Sequence, residues 1–293
     1  MNQALEILRE AETRWYEPLY RHCAGLFSGR FLPSHDHLHH ARVWSHTRSL
    51  YLELCRAGIN FPEHTADSLL VAVFFHDTGL VRTSAEQHGR ESRLLCEEYF
   101  RDTGLPDSLK ESWAGILHAI EHHDDKSPKP ETLARGMGSV PDLLLLLSAA
   151  DDLDAFGRIG IYRYAEIYLM RDPEPELLPG RVAENVRNRY HNLRSAFAGL
   201  ENFLNDQEGR YLQVYEFYLR LAQAYAAAGE KPSWEPALIA LIRESIRERR
   251  NLLSTGRELP PSGFEREIGD WFRELDRELQ SYPQSPGKGI ESQ

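Results

Sequence analysis

The sequence has few cysteines, and their distribution excludes two kinds of structure. Only three occur in 293 residues, namely Cys23, Cys55 and Cys96. They are too few and too scattered for a disulfide framework or for a zinc site built from thiolates. Such cysteine use is typical of a chain in a reducing compartment. We therefore expect a cytoplasmic protein whose thiols are ordinary core or surface side chains.

The chain also lacks an excess of basic charge and long hydrophobic runs. Its net charge of −11 at pH 7 argues against a nucleic-acid binder with a basic surface and against attachment to an anionic membrane. The longest apolar runs, Leu69–Phe75 and Leu143–Leu147, are far too short to span a bilayer. The first residues lack the basic-then-apolar order of a signal peptide. Anionic substrates remain compatible with this composition, because a local metal overrides the global field.

Strand signals are nearly absent as well. Alternating Val, Ile and Thr runs and Asn-Gly hairpins are missing, whereas apolar residues recur at intervals of three and four. The sequence predicts an all-α protein with a helical domain over residues 1–180, a helical extension packed on it over 181–282, and a flexible tail over 283–293. In the extension, a coiled-coil-like seam that turns back after 205–209 permits a homodimer; its members are Val186, Tyr190, Leu193, Phe197, Leu200 and Leu204.

The adjacent pair His76 and Asp77 is the feature around which the functional interpretation is organised. The pair follows the apolar run Leu69–Phe75 at the predicted end of a buried helix, and Gly79 is placed to terminate that helix. A buried charge is costly unless it is paired, and a metal ion is a common partner for histidine and aspartate. Because the dipeptide is frequent by chance, its interpretation depends on the rest of the chain.

A histidine-rich tract opens the second predicted helix. Five of the 13 histidines lie between positions 35 and 46. His35 and His39 are four residues apart and share one face if both are helical, which suits two groups that converge on one site. For any single member, a solvated helix cap is the more common role.

A second histidine pair, His118 and His122, lies on a later predicted helix. The two share a stripe with Gly115 at spacings of three and four. Histidines at i and i+4 suit a metal or phosphate site, but exposed helical histidines are equally ordinary, and the two interpretations weigh about evenly. His123 is expected to point elsewhere.

Asp151 follows a third apolar run, Leu143–Ala150. It lies four residues after Leu147 and therefore on the buried side of the helix, whereas Asp152 is rotated away by about 100°. We expect the Asp151 carboxylate to project inward. Asp154, one turn further on, is expected to act as a cap or salt-bridge partner.

In chain order these residues resemble the H…HD…D arrangement of the HD superfamily of metal-dependent phosphohydrolases. Residues 34–41 are similar to the family's Tyr-His-Asn-x-x-His segment, and residues 75–79 contain its His-Asp dipeptide. Residues 151–163 are similar to the Asp-x-Leu-Asp-Ala-x-Gly-x-Ile-Gly-Ile-x-Arg stretch of bacterial HD hydrolases. The resemblance covers about residues 30–170 and implies an HD-domain helical bundle with additional C-terminal helices.

The first segment departs from the family pattern at two positions. Ser34 stands where an aromatic residue is usual, and Asp36 where an asparagine is usual. Two assignments therefore remain open in the crowded tract, His35 with His39 or His37 with His40. The spacing to the following apolar residues favours His39.

The resemblance implies a ligand set for a divalent ion, which is Mn, Mg, Fe, Co or Zn, because imidazole and carboxylate without thiolate suit these metals. The implied ligands are His39, His76, Asp77 and Asp151. If His118 and His122 hold a second ion, Asp77 bridges the two. His35 is the implied general acid and Asp77 the other catalytic residue. Candidate substrate-phosphate contacts are Arg42, Arg82, Lys126, Arg158 and Arg163, although each such residue is more commonly part of a surface or structural ion pair.

The sequence therefore predicts a metal-dependent phosphohydrolase acting on a small phosphorylated substrate, either a nucleotide or another metabolite, through a metal-activated water. One alternative is an HD-fold di-iron oxygenase, because the same ligand types hold a redox-active iron pair. Another is a non-catalytic HD module that binds a ligand and serves as a scaffold through the aromatic helices after residue 180. The full set of ligand types counts against this last alternative.

Overall fold

The computed structural model describes residues 2–84, 88–125, 140–171, 174–227, 233–251, 253 and 264–282. These residues form twelve α-helices and one short 3-10 helix, with no strand among them. The predicted all-α class is thereby confirmed. No helix in the described ranges is long and apolar enough to cross a membrane.

The helices follow one another with short connections. The first half of the chain contains α1 (Asn2–Phe27), α2 (His37–Arg56), α3 (Thr65–Phe75), a 3-10 helix (Thr78–Val81), α4 (His88–Thr103), α5 (Asp107–Lys110) and α6 (Trp113–His122). The second half contains α7 (Leu143–Asp154), α8 (Gly157–Arg171), α9 (Leu178–Ala196), α10 (Glu201–Ala226), α11 (Glu235–Glu248) and α12 (Glu265–Gln280).

Helix α3 is buried on every side, and its composition explains why. All residues from Ala66 to Phe75 are buried, which is typical of a helix without a polar face. The one charged residue of the helix, Asp67, accepts hydrogen bonds from Arg14 Nε at 3.1 Å and Trp15 Nε1 at 2.9 Å. Helices α1, α2, α6 and α7 pack around α3. Its C-terminal end therefore delivers the next two residues, His76 and Asp77, to the interior of the bundle.

N-terminal caps fix where the two neighbouring helices begin. The Asp36 carboxylate accepts the Leu38 N–H at 2.9 Å at the start of α2. The Asp142 carboxylate accepts the Leu145 N–H at 2.8 Å at the start of α7. Caps of this kind satisfy backbone donors that the helix itself leaves unpaired. Since α2 packs along α7, the first turn of α2 and the last turn of α7 lie beside the end of α3.

The predicted seam in the extension is divided between two helices. The chain turns between Ala196 and Glu201, and residues 205–209, where the sequence predicts the turn, lie inside α10. Helices α9 and α10 pack against each other, and all six seam side chains are buried. An apolar period of three and four is the same for one long helix and for two helices that share a core. Because the seam is used within the chain, it no longer argues for a homodimer, which stays a prediction.

Helix α8 joins the two halves of the chain. It follows α7 directly and packs against α10, α11 and α12. The Tyr218 hydroxyl of α10 donates to the Ile161 carbonyl of α8 at 2.8 Å in the buried interface. Residues that α8 presents on its other side therefore have a fixed position relative to α7.

Gly79 allows the 3-10 helix to lie directly against α4. A Cβ at this position would approach the His88 carbonyl oxygen to 2.0 Å and the Ser92 nitrogen to 2.7 Å, and both are backbone atoms. We expect Gly79→Ala to lower the free energy of unfolding by about 2 kcal/mol, as measured by chemical denaturation. In the control Gly25→Ala the added methyl group meets no atom within 4 Å, so stability should be unchanged or slightly higher. Equal stability of the two variants would contradict this packing.

Candidate metal centre

Four of the predicted ligands come together where three helices meet. His39 lies in the first turn of α2, His76 and Asp77 follow α3, and Asp151 lies in the last turn of α7. His39 Nε2 is 3.1 Å from His76 Nε2, 3.3 Å from Asp77 Oδ2 and 3.7 Å from Asp151 Oδ1. His76 Nε2 is 3.7 Å from Asp77 Oδ2 and 3.9 Å from Asp151 Oδ1. Ligand atoms that share an ion at roughly 2.1 Å lie roughly 3 to 3.5 Å apart, so these four atoms suit one metal ion.

Hydrogen bonds on the far side of each imidazole decide which nitrogen carries its proton. The His76 Nδ1 is 2.7 Å from the Val73 carbonyl oxygen, and the His39 Nδ1 is 2.8 Å from Asp154 Oδ2. Each Nδ1 must therefore be the donor, and each Nε2 carries a lone pair. Two lone pairs and two carboxylate oxygens then face one another, an arrangement that a cation between them makes favourable.

The charge states agree with this assignment. Burial lowers the pKa of His76 to about 3, so its imidazole is neutral at physiological pH. Burial alone would raise the pKa of Asp77, but His76 and the hydrogen bonds with His123, His39 and His88 outweigh it and hold that pKa well below its usual range. Neutral imidazole and ionised carboxylate are the forms that bind a metal ion.

A second group of ligand types shares Asp77. Its Oδ1 atom is 3.0 Å from His88 Nε2 and 3.0 Å from His123 Nε2, whereas its Oδ2 atom faces the first group. The three side chains are all buried, and their ligand atoms lie within 4.8 Å of one another. His123 Nδ1 is 2.8 Å from the Ile120 carbonyl oxygen, which again leaves Nε2 for a ligand. Asp77 therefore has the geometry of a carboxylate that bridges two ions.

His118 and His122 belong to neither group. Their rings pack against each other with centroids 4.7 Å apart, and His118 is exposed. The spacing of four correctly places them on one face of α6, but that face is directed away from the core. His123 instead continues the buried stripe of Ile116 and Ile120, and this continuation is the signal that identifies it. His88 begins α4 after a loop, and no spacing in the sequence connects it with Asp77.

Asp154 holds the ring of His39 in place. Besides His39 Nδ1, the carboxylate accepts hydrogen bonds from Arg42 Nε at 2.9 Å and Arg42 Nη2 at 3.1 Å. Burial alone would raise the pKa of Asp154, but Arg42 and His39 keep it far below its usual range. A carboxylate behind a ligating histidine orients the ring and raises its basicity. Asp154 thus has the salt-bridge role expected from the sequence, and Arg42 serves Asp154 rather than a substrate phosphate.

The other predicted phosphate contacts are distributed differently. Arg163 lies at the first group, with Nη2 3.0 Å from Asp151 Oδ1 and 3.3 Å from His39 Nε2. Arg158 points away from the centre, toward Gln213 and Glu274 of later helices. Arg82 pairs with Glu91 and Glu98 at the surface. Lys126 lies outside the described residues.

His35 is held by a buried glutamate of α8. Its Nδ1 lies 3.2 Å from Glu166 Oε1, and the same carboxylate accepts the Ser34 hydroxyl at 2.8 Å. Glu166 is fully buried. Burial lowers the pKa of His35, although Glu166 acts in the opposite direction. Because Nδ1 is engaged, Nε2 is the ring nitrogen that remains for chemistry.

A cavity of about 470 Å³ lies beside the two groups. Its lining combines ligands of both groups, His35, acidic residues, arginines and tyrosines; the residues are His35, Asp77, Leu80, His88, His123, Asp124, Asp125, Asp151, Ala155, Arg163, Tyr164, Ile167, Tyr168, Arg171, Asn185 and Arg189. The last five come from α8 and α9. Apart from Arg163, none of the α8 and α9 lining residues is predicted from the sequence, because their role depends on how α9 folds over α8.

Residues 38–155 match the family model described as HD domain. No curated protein and no solved structure matches the chain. The matched range contains every residue of both ligand groups, whereas His35, Arg163 and Glu166 lie outside it. The resemblance derived from the H…HD…D order is thereby confirmed.

The two groups predict a specific pattern of metal loss. We expect the purified protein to retain two divalent ions per chain after dialysis, measured by plasma mass spectrometry. Asp77→Asn should lose both ions, because one carboxylate serves both groups, and His123→Gln should lose one. His118→Gln is the matched control on the same helix and should retain both. Loss of an ion from His118→Gln together with full occupancy in His123→Gln would reverse this assignment.

Proposed function

We propose, for a chain that contains an HD domain over residues 38–155, that it hydrolyses a phosphate ester of a nucleotide or another small metabolite with the help of divalent metal. The observation that carries the proposal is the convergence of His39, His76, Asp77 and Asp151 beside an open cavity with arginines on its far wall. Neither feature alone indicates hydrolysis of a phosphate ester, but together they provide for a cation and an anion at one place.

The charges of the cavity support an anionic substrate. Four aspartates and three arginines line it, so the protein alone leaves it slightly negative. One divalent ion reverses that sign and two make it clearly positive, because bound cations are the largest local charges in such a site. An anion is therefore favoured once metal is bound. Inside a cavity with low-dielectric walls such a field acts more strongly than in water.

The residues available for the metal are His39, His76, Asp77 and Asp151 for one ion, and Asp77, His88 and His123 for a second. A bound divalent ion supplies activation of water and neutralises charge on the phosphoryl group. Arg163 lies beside the first set, where its guanidinium donates to phosphoryl oxygens. A planar guanidinium suits this task because it offers paired N–H donors.

His35 and Glu166 provide for the leaving group. Glu166 accepts the proton of His35 Nδ1 and so fixes the ring with Nε2 available to the cavity. The negative charge of a bound phosphate ester favours the imidazolium form. His35 then gives its Nε2 proton to the leaving oxygen, while the Glu166 carboxylate stabilises the positive ring until that transfer.

We expect His76→Ala and Asp77→Ala to reduce metal-dependent phosphatase activity by more than about a hundredfold, since even the loss of a group behind a ligand has effects of that order. Activity is measured with p-nitrophenyl phosphate and a phosphometabolite panel in the presence of Mn, Mg, Fe, Co or Zn. Circular dichroism should show unchanged helicity, and Arg158→Gln should keep wild-type activity.

Unchanged turnover in both ligand variants would end the hydrolase proposal. The shared Asp77 carboxylate and the nitrogen and oxygen ligands also suit an iron pair, so the same preparations should be tested for iron content and oxygen uptake. Oxygen consumption without phosphate release would favour the oxygenase alternative.

Glu166→Gln should slow the hydrolysis of alkyl phosphates more than that of aryl phosphates. An alkoxide needs a proton as it leaves, whereas a nitrophenolate does not. We expect a loss of roughly a hundredfold for the best alkyl ester of the panel and little loss for p-nitrophenyl phosphate. His35→Gln should give the same pattern. If both ester types slow equally, Glu166 only stabilises the fold and does not act through His35.

A further inference from the structure

One wall of the cavity is built by helices that follow the matched HD domain. Helix α8 contributes one face between Arg163 and Arg171, and α9 contributes Asn185 and Arg189. The metal ligands lie on the opposite wall. What the substrate carries beyond its scissile phosphate must therefore be read largely by α8 and α9.

The face of α8 has a guanidinium at each end. Arg163 marks the metal end, because its Nη2 is 3.0 Å from Asp151 Oδ1. Arg171 is eight residues further along the same helix, which places its backbone about 12 Å away at 1.5 Å per residue. Since both residues line one cavity, the wall offers two cationic positions separated by the length of a small metabolite.

The two arginines differ in what already binds them. Arg163 is buried between Asp151 and Asp154, with distances of 3.0 Å and 3.3 Å to their carboxylates. Arg171 donates from Nε to the Ser84 carbonyl oxygen at 2.7 Å. Within the described ranges no carboxylate pairs with Arg171. The contact to Ser84 fixes the side chain and leaves its two terminal nitrogens as donors for a ligand.

The wall between the two arginines is polar and aromatic. The Asn185 side chain accepts a hydrogen bond from Arg189 Nε at 2.9 Å and donates to the Tyr168 hydroxyl at 3.2 Å. Arg189 is held in turn by Asp151 Oδ2 at 3.2 Å. Because these bonds link α9 to α8 and to α7, the phenol of Tyr168 has a fixed position on the wall. Tyrosine offers both a ring face and a hydroxyl to a ligand.

Resting on the function proposed above, we propose that Arg171 binds a second anionic group of the substrate. The preferred substrates are then small phosphorylated metabolites with anionic groups at both ends and a polar middle, such as a sugar bisphosphate. The cavity of about 470 Å³ is within the range of small-molecule sites. The scissile phosphate lies at the metal end beside Arg163, and the second anion lies at Arg171.

Inert phosphonates test this arrangement without turnover. Titration calorimetry on the manganese-loaded protein compares α,ω-alkane bisphosphonates of increasing chain length with alkyl monophosphonates of the same lengths. In the wild type we expect the bisphosphonate of optimal length to bind about tenfold more tightly than its monophosphonate, as a charge-assisted hydrogen bond provides. Arg171→Gln should remove this advantage and leave the affinity for monophosphonates unchanged.

Arg158→Gln is the matched control, since Arg158 lies on the same helix but does not line the cavity. It should keep the full preference for the bisphosphonate. Equal affinity of the two ligand types at every length in the wild type would overturn the inference, and so would equal weakening of both by Arg171→Gln. A protein that prefers bisphosphonates but hydrolyses no ester of the panel would refute the proposed function alone. Hydrolysis without that preference would refute this inference alone.

Discussion

The structure depends on one electrostatic constraint, which is the convergence of acceptor atoms at the end of α3. His39 and His76 direct their Nε2 lone pairs at each other across 3.1 Å, because Asp154 and the Val73 carbonyl take the proton of each Nδ1. Two carboxylates face the same point. Such an arrangement is unfavourable without a cation, so the surrounding core must hold the three helix ends in place. The fully buried α3 and the capped helices on either side of it provide that rigidity.

A buried polar chain extends this constraint to the C-terminal helices. Asp154, which orients His39, lies 3.8 Å from His46 Nε2, and the Tyr282 hydroxyl lies 3.2 Å from the same nitrogen. Arg210 of α10 donates to the Tyr282 hydroxyl at 3.2 Å. Burial and the nearby Arg210 lower the pKa of His46 to about 3, so this ring stays neutral between its partners. The end of α12 is thereby connected with a residue that positions a metal ligand, and the helices after residue 180 contribute to the base of the site.

The sequence predicts the first ligand group well, because its members lie where apolar periodicity meets the core. Asp151 is four residues after a buried leucine, and His76 ends an apolar run. For His118 and His122 the spacing predicts a shared face but not its direction, which is set by the packing of α6 against α4 and α7. His88 could not be predicted from spacing, because its approach to Asp77 depends on the close packing of α4 on the 3-10 helix. The same limit applies to the turn before Glu201, since the seam period is continuous across it.

Asp151 explains why the ligand groups and the substrate wall are not independent. Its Oδ1 atom faces His39 and His76, while its Oδ2 atom accepts a hydrogen bond from Arg189 of α9. A displacement of α9 therefore acts directly on a metal ligand. Conversely, a cation bound at Oδ1 withdraws charge from the carboxylate and weakens its attraction for Arg189, which leaves that guanidinium more available to an anion in the cavity. The HD domain supplies the ligands, and the helices beyond it supply groups that respond to the ligands' charge. A substrate that bridges the two walls is thus bound most strongly when metal is present.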